Sequence, residues 1–323
     1  MISRRSLLAA GTGFGAAFAT RARAQTYPDK PIRLIVPFPP GGPIDTMARL
    51  TGKFITDAVG QQVVVENRPG AGSTLGTKAA AASTPDGYTL LFGSSGSLSV
   101  APSLYPNAGV EPTKTFAPVA TVALLPHLMV VPEQVPVKTV AEFVAYAKAN
   151  PGKLNFGAGL GTPPHLLGTL FKIRAGIDVT YVPYQGAQQS VIDLVAGRNH
   201  YTIDGTVILM PQVRAGKLRP IGFGQNQRWH ELPDVPTLPE QGFPDFTLDA
   251  WTGVVAPIGT PEPILKRLNA AINAGLKTAE AKTALDNFSS IAKVSTLAEF
   301  GAFLAEQEKR WGELVRLAGA KVE

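Results

Sequence analysis

Cysteine is absent from all 323 residues, which excludes disulfides, thiol catalysis, thiolate metal sites and a lipid anchor on an N-terminal cysteine. Histidine is nearly as scarce. The four residues, at 127, 165, 200 and 230, show no metal-ligand spacing, so neither a metal nor a cofactor is expected. Long apolar runs are missing too: the weakly apolar stretch from Ala9 to Ala19 falls short of the ~20 residues a membrane span needs. Beyond residue 24 there is no Lys/Arg run and no basic stripe interleaved with aromatics, so nucleic acid is not an expected partner.

What is present begins with an address. Arg4-Arg5, the short apolar stretch and Ala22-Arg23-Ala24 before Gln25 have the pattern of a twin-arginine export signal, residues 1–24, cleaved after Ala24. That segment holds four arginines and no acid, so its removal lowers Lys+Arg from 30 to 26 against 24 acids and the net charge from +6 to +2. The apparent basicity is mostly the leader. An exported chain without an anchor is kept only by an outer membrane, which points to a Gram-negative periplasm. With 45% hydrophobic residues the remainder can build one large or two ordinary domains.

The organising stretch is Val36-Pro37-Phe38-Pro39-Pro40-Gly41-Gly42-Pro43-Ile44-Asp45. Arg33 to Val36 read as a strand, and Met47, Leu50, Phe54, Ile55 and Ala58 recur at helical spacing up to Gly60. Between them, two glycines let a guest approach the backbone, and the first N–H groups of the helix are unpartnered. This describes either an anion seat or a rigid turn. The unit then recurs: strand Val63 to Val65 leads to Gly70-Ala71-Gly72-Ser73 and a helix near Leu75 to Ala82, and strand Thr89 to Phe92 leads to Gly93-Ser94-Ser95-Gly96-Ser97. Alternating strands and helices predict a mostly parallel, doubly wound α/β sheet with ligands beyond the carboxyl ends of its strands.

After an apolar, strand-like stretch from Pro118 to Val131 the pattern restarts. Thr139 with Glu142 predicts a capped helix. Strand Leu154 to Phe156 leads to Gly157-Ala158-Gly159-Leu160-Gly161-Thr162-Pro163-Pro164-His165, with Thr162 as N-cap and Pro163 at the first helical position. Val179 to Val182, Tyr201 to Asp204 and Leu218 to Phe223 are further strands, with Tyr184 at the exit of the first. Trp251 to Ala256 carries the chain back, and Thr296 with Glu299 caps the last helix. Two α/β lobes joined by two crossovers imply a hinge and a cleft: residues 25–124 and 250–323 form one lobe, 125–249 the other.

Taken together, Pro37-Phe38-Pro39-Pro40-Gly41-Gly42 with Asp45, Val65-Glu66-Asn67-Arg68-Pro69-Gly70-Ala71-Gly72, Pro85-Asp86-Gly87-Tyr88-Thr89, Pro163-Pro164-His165-Leu166, Val182-Pro183-Tyr184, Arg214 to Arg219, Leu232 to Thr237 and Ala256 to Pro261 resemble the Bug family from Tyr27 to the C-terminus. These are extracytoplasmic solute receptors of tripartite tricarboxylate transporters. The resemblance implies a type II periplasmic-binding-protein fold, monomeric, holding a small organic acid (a di- or tricarboxylate, acidic amino acid or aromatic carboxylate) and serving either membrane transporter subunits or a sensor protein. It departs from the family at Pro43, which removes one N–H near the site. The candidate ligand contacts are Phe38, Gly41, Gly42, Asp45, Ser73, Ser94, Ser95, Gly159, Gly161, Thr162, His165, Tyr184 and Asp204. Asp45 either orders water, accepts a bond from a ligand hydroxyl or amine, or is an ordinary first-turn acid. His165 either caps the carboxylate or packs between lobes, and Asp204 either selects for a donor or holds a hinge loop. The serines offer hydroxyls or simply fit tight loops.

Enzyme readings fail on spacing. Gly93 to Ser97 lacks the last glycine of a G-x-S-x-G elbow, and Gly70 to Lys78 fits neither a P-loop nor G-x-G-x-x-G. An exported hydrolase is the remaining enzyme alternative, and no catalytic residue is assigned.

Overall fold

The structure is a computed structural model and describes residues 27–105, 109–247 and 249–320. The expected leader, residues 1–24, lies outside the described residues. The first lobe opens with β1 (Ile32–Val36), α1 (Pro43–Val59), β2 (Val63–Asn67), α2 (Thr74–Ala81) and β3 (Thr89–Ser94). A π-helical turn, Gly96–Val100, then runs into α3 (Ala101–Leu104), followed by α4 (Pro112–Thr115) and β4 (Phe116–Leu125). α1 forms where the sequence places it: Pro43 fits the first turn, Met47, Ala48, Phe54 and Ile55 are buried, and Gly60 ends it at φ 77°.

Pro126 has no N–H to donate to a ladder, and the apolar stretch expected as one unit divides there into β4 and β5 (His127–Pro132), which belong to different sheets. The second lobe continues with α5 (Val140–Ala149), β6 (Leu154–Gly159), α6 (Pro163–Ala175), β7 (Val179–Tyr184), α7 (Ala187–Val195), β8 (Thr202–Gly205), α8 (Thr206–Arg214) and β9 (Leu218–Phe223). β10 (Ala250–Pro257) then returns to the first sheet, followed by α9 (Glu262–Gly275), α10 (Ala279–Asn287), β11 (Ile291–Ala292) and α11 (Leu297–Leu317).

The first sheet has the order β11-β4-β10-β3-β1-β2. β1 is parallel to β2 and β3, whereas β10 is antiparallel to both β3 and β4. It enters from the other lobe, and so runs against its neighbours. In the second lobe β5 lies antiparallel between β8 and β9, β6 pairs in parallel with β7, and a single parallel bridge, Phe156 to Tyr201, links the two groups. The mostly parallel winding expected holds around β1 and β6, and the antiparallel pairings gather at β10, β11 and β5.

Helix α11 links the two lobes. Its start has the predicted capping box, with Glu299 N–H donating to Thr296 Oγ1 at 3.2 Å and Thr296 N–H to Glu299 Oε2 at 2.8 Å. Its first turns bury Phe300 and Leu304 with Trp251 of the first lobe. Farther along, Trp311, Leu314 and Val315 enter the second-lobe core of Phe143, Phe156, Phe171 and Tyr201, and Val100 and Leu104 join them from beyond β3. One apolar cluster therefore crosses the lobe boundary. Trp311 is fully buried and its Nε1–H donates to Gln307 Oε1 at 3.0 Å. Trp311→Ala is expected to cost about 3–5 kcal/mol, measured by denaturant unfolding. A loss below 1 kcal/mol would mean that the helix does not tie the lobes.

Candidate functional site

A cavity of about 270 Å³ lies between the lobes, beyond the carboxyl ends of β1, β2, β3 and β6, where an α/β sheet presents its ligands. Phe38, Gly72, Ser73 and Gly96 line it from the first lobe and Leu160, Gly161, Thr162 and Pro163 from the second, while Val100, Ala101, Leu104 and Tyr105 complete the wall. Three helix starts reach it: Ser73 is the N-cap of α2, Gly96 opens the π-helical turn, and Thr162 is the N-cap of α6. The first N–H groups of α2 have no partner within the helix and carry the positive end of its dipole, whereas the donors at the start of α6 are largely taken within its own loop. No charged side chain lines the cavity among the described residues.

Two glycines make close contacts at the cavity, Gly161 across the lobes and Gly72 within the first lobe. Gly161 has φ +71°, and a Cβ on it would sit 2.3 Å from Leu104 Cδ2. Gly72 has φ +59°, and a Cβ there would sit 2.2 Å from the Tyr105 hydroxyl. Both positions exclude a side chain by backbone conformation and by contact. Around Gly72 the loop holds Ala71 at φ 46° and Ser73 at φ 76°, left-handed conformations that cost non-glycine residues energy and concentrate at functional sites.

Asp45 is spent on its own loop. Its Oδ2 accepts from Gly41 N–H at 2.9 Å and Arg49 Nε at 3.0 Å, and its Oδ1 from Asn67 Nδ2 at 2.8 Å. Asn67 also donates to Phe38 O at 3.1 Å. Burial raises the Asp45 pKa, but Arg49, Gly41 and Asn67 outweigh it, and the net shift is downward. The carboxylate is a clamp that fixes the β1–α1 loop and the backbone of Phe38. It also occupies the Gly41 amide, and neither Gly41, Gly42 nor Asp45 lines the cavity.

The start of α6 is similarly self-engaged. Gly161 N–H donates to His165 Nδ1 at 3.2 Å, and Thr162 N–H and Oγ1 donate to Gly159 O at 3.2 and 2.7 Å. Thr162 is therefore at the N-cap position without capping through its hydroxyl. Pro163 and Pro164 have no N–H, so the His165 backbone N–H is the donor left at this end. The His165 ring is buried against Tyr181, with centroids 4.2 Å apart, and burial lowers its pKa. It packs inside the lobe, behind Gly161.

The other expected contacts lie elsewhere. Ser94 and Ser97 are bonded to each other, Ser94 N–H donating to Ser97 Oγ at 2.9 Å, and they stand behind Gly96 with the buried Ser95. The Tyr184 hydroxyl donates to Asp193 Oδ2 at 2.8 Å and accepts from Asn199 Nδ2 at 3.0 Å, away from the cavity. Thus Phe38, Ser73, Gly161 and Thr162 come together, Gly41, Gly42, Asp45, Ser94, Ser95, Gly159 and His165 belong to the loops that carry or adjoin them, and Tyr184 and Asp204 do not line the cavity. The segment Val100 to Tyr105 and the side chain of Leu160 were not foreseen. Leu98, Ala101, Leu104 and Tyr105 do share one helical face, a signal interrupted by Pro102. Of the larger hollows, those of about 550 and 460 Å³ run past Gln225 and Gln227, and one of about 320 Å³ lies within the first lobe beside Met47 and Phe288. None of these receives a helix start from both lobes.

Comparison with known proteins identifies the family and the fold. The model of the tripartite tricarboxylate transporter family receptor matches residues 47–319. Protein BugT of Bordetella pertussis is 36% identical over 310 residues, 95% of this chain and 95% of its own length. The structure of the periplasmic binding protein BugD superposes with a TM-score of 0.74 at 32% identity, covering 92% of this chain and 100% of that one. The R. palustris protein Rpa4515, solved with adipate, gives 0.78 at 32% identity, covering 92% and 100%. The fold is that of these two-lobed periplasmic binding proteins.

Asp204 sits at the crossover. The Thr206 hydroxyl two residues on lies 3.2 Å from Pro126 O and 2.8 Å from Ser289 O, which ties the start of α8 to the segment entering the lobe and to the first-lobe turn between α10 and β11. Asp204 is half-buried, and burial pushes it up to about 7 despite the Gly205 N–H that its Oδ1 accepts at 2.6 Å. An unfolded chain loses this proton near pH 4. Between about pH 4 and 7 the folded state holds a proton that the unfolded state lacks, so stability falls as pH rises through that window. Asp204→Asn is expected to raise the melting midpoint by about 2–4 °C at pH 8, a gain of about 1 kcal/mol, and by less at pH 5. An equal gain at both pH values would show that no such titration contributes to stability.

Proposed function

The chain belongs to the tripartite tricarboxylate transporter receptor family, and on that premise we propose that it captures a small carboxylate in the periplasm for the membrane subunits of such a transporter. It is exported through the twin-arginine signal of residues 1–24 and works as a monomer, with no cofactor and no turnover of its ligand. The lobes are 25–124 with 250–323, and 125–249. The observation that carries the proposal is the convergence of helix starts from both lobes, at Ser73, Gly96 and Thr162, on one cavity.

An anion suits that geometry because a backbone N–H bonded to a charged oxygen contributes about 1.5–3 kcal/mol. A few such bonds, reduced by ordering costs, give roughly micromolar affinity, about 8 kcal/mol. A carboxylate held by walls from both lobes stabilises the shut form over the open one. The shut form is then what a membrane partner can distinguish.

Ser73→Asp separates fold from function. An acid at a helix N-cap is favoured, and aspartate tolerates the left-handed conformation of Ser73. The variant should therefore melt no lower than the parent. Its carboxylate would occupy the seat meant for the ligand, and calorimetric titration with a panel of mono-, di- and tricarboxylates should show at least a tenfold loss for whichever acid binds the parent. Unchanged affinity would place the anion elsewhere.

A further inference from the structure

The side chains of the cavity narrow the class of ligand, a step that rests on the receptor function. Its polar equipment is almost all backbone. The Ser73 hydroxyl donates to Gly72 O and the Thr162 hydroxyl to Gly159 O, so both are engaged within their own loops. His165 Nδ1 is held by Gly161 N–H. Tyr105 is then the side chain with a hydroxyl left to offer. The remaining volume is bounded by Phe38, Val100, Leu104, Leu160 and the Tyr105 ring, with no lysine, arginine or acid among the described lining residues.

Leu160 points to the same chemistry. It stands 48% exposed on the β6–α6 loop at the edge of the cavity. Exposed leucines are common singly, but this one lines a concave site beside other apolar side chains, where its surface can be covered only by a guest. The cavity, about 270 Å³, is below the roughly 300–1,000 Å³ of sites for drug-sized ligands.

We infer that the ligand is an acid with a single carboxylate and an apolar body about the size of hexanoate or benzoate, rather than a di- or tricarboxylate. The helix starts compensate one negative charge. A second carboxylate on so small a molecule would be pressed against Phe38, Leu104 and Leu160, with Tyr105 as its one side-chain donor. Burying a charge so poorly paired is costly. An apolar end meeting the same wall gains about 25 cal/mol for each Å² removed from water.

Hexanoate and adipate test this with the least confusion. They share a six-carbon chain and differ only in whether the far end is a methyl group or a second carboxylate. Calorimetric titration of the leaderless protein at pH 7.5 should show hexanoate binding at least tenfold more tightly than adipate. Leu160→Arg places a cation at the cavity edge on an exposed position that the fold tolerates, and should narrow or reverse that ratio. Adipate binding as tightly as hexanoate or more so in the parent would overturn the monocarboxylate inference and leave the receptor function standing. An unchanged ratio in Leu160→Arg would equally count against it, by showing that the far end of the ligand does not meet this wall. Failure of hexanoate, adipate, benzoate, malate and citrate alike would overturn the receptor function itself.

Discussion

Everything at the cavity depends on which backbone N–H groups are still unpartnered when the loops have finished folding. No cationic side chain lines the cavity among the described residues, so the counter-charge it can offer an anion is the exposed end of a helix. The helix ends are not equivalent. In α1 and α6 the fold removes donors from the first turn: Pro43, Pro163 and Pro164 have none, Gly41 is bonded to Asp45, Gly161 to His165, and Thr162 to Gly159. The sequence is dense in glycine and proline at these turns, yet much of that density holds the loops rigid instead of opening them to a guest. Rigid loops matter because an amide aimed in advance costs no reorganisation when the anion arrives.

Local features of the chain were legible for that same reason of locality. The capping box at Thr296 and Glu299, the glycine stop of α1 and the strand–loop–helix units need only a few neighbouring residues to decide them. Asp45 was legible as a helix-start acid but not as a clamp, because its decisive partner, Asn67, comes from the next strand. The wall from Val100 to Tyr105 was hidden by Pro102 and by a π-helical turn that shifts the helical period just where four residues share a face. Pro211 likewise disguised α8, which contains it. Pro126 had the opposite effect: a single residue inside an apolar stretch marks where the chain leaves one sheet for the other.

The lobes are coupled at more places than the two crossover strands. The apolar cluster that runs from Val100 and Leu104 through Trp311 to Phe171 makes the cavity wall and the second-lobe core parts of one packed body. Leu104 is also the side chain that rests on Gly161. Packed interiors shift between discrete arrangements more readily than they stretch, so movement of one lobe against the other must displace α3 and the end of α11 together. A ligand lodged against Leu104 and Tyr105 acts directly on that joint.

The state of His165 follows from the same packing. Burial favours the uncharged ring, and Nδ1, by accepting the Gly161 N–H, can carry no proton. The proton of the neutral ring is therefore on Nε2. An imidazolium would lose the Gly161 bond, since a protonated Nδ1 can only donate, and would leave the Gly161 amide without that partner. The fold thus avoids a positive charge at a place where a carboxylate receptor could have used one. The seat is neutral in its side chains and polar only in its backbone, a combination that compensates a single carboxylate and offers a second none of the charge it would need.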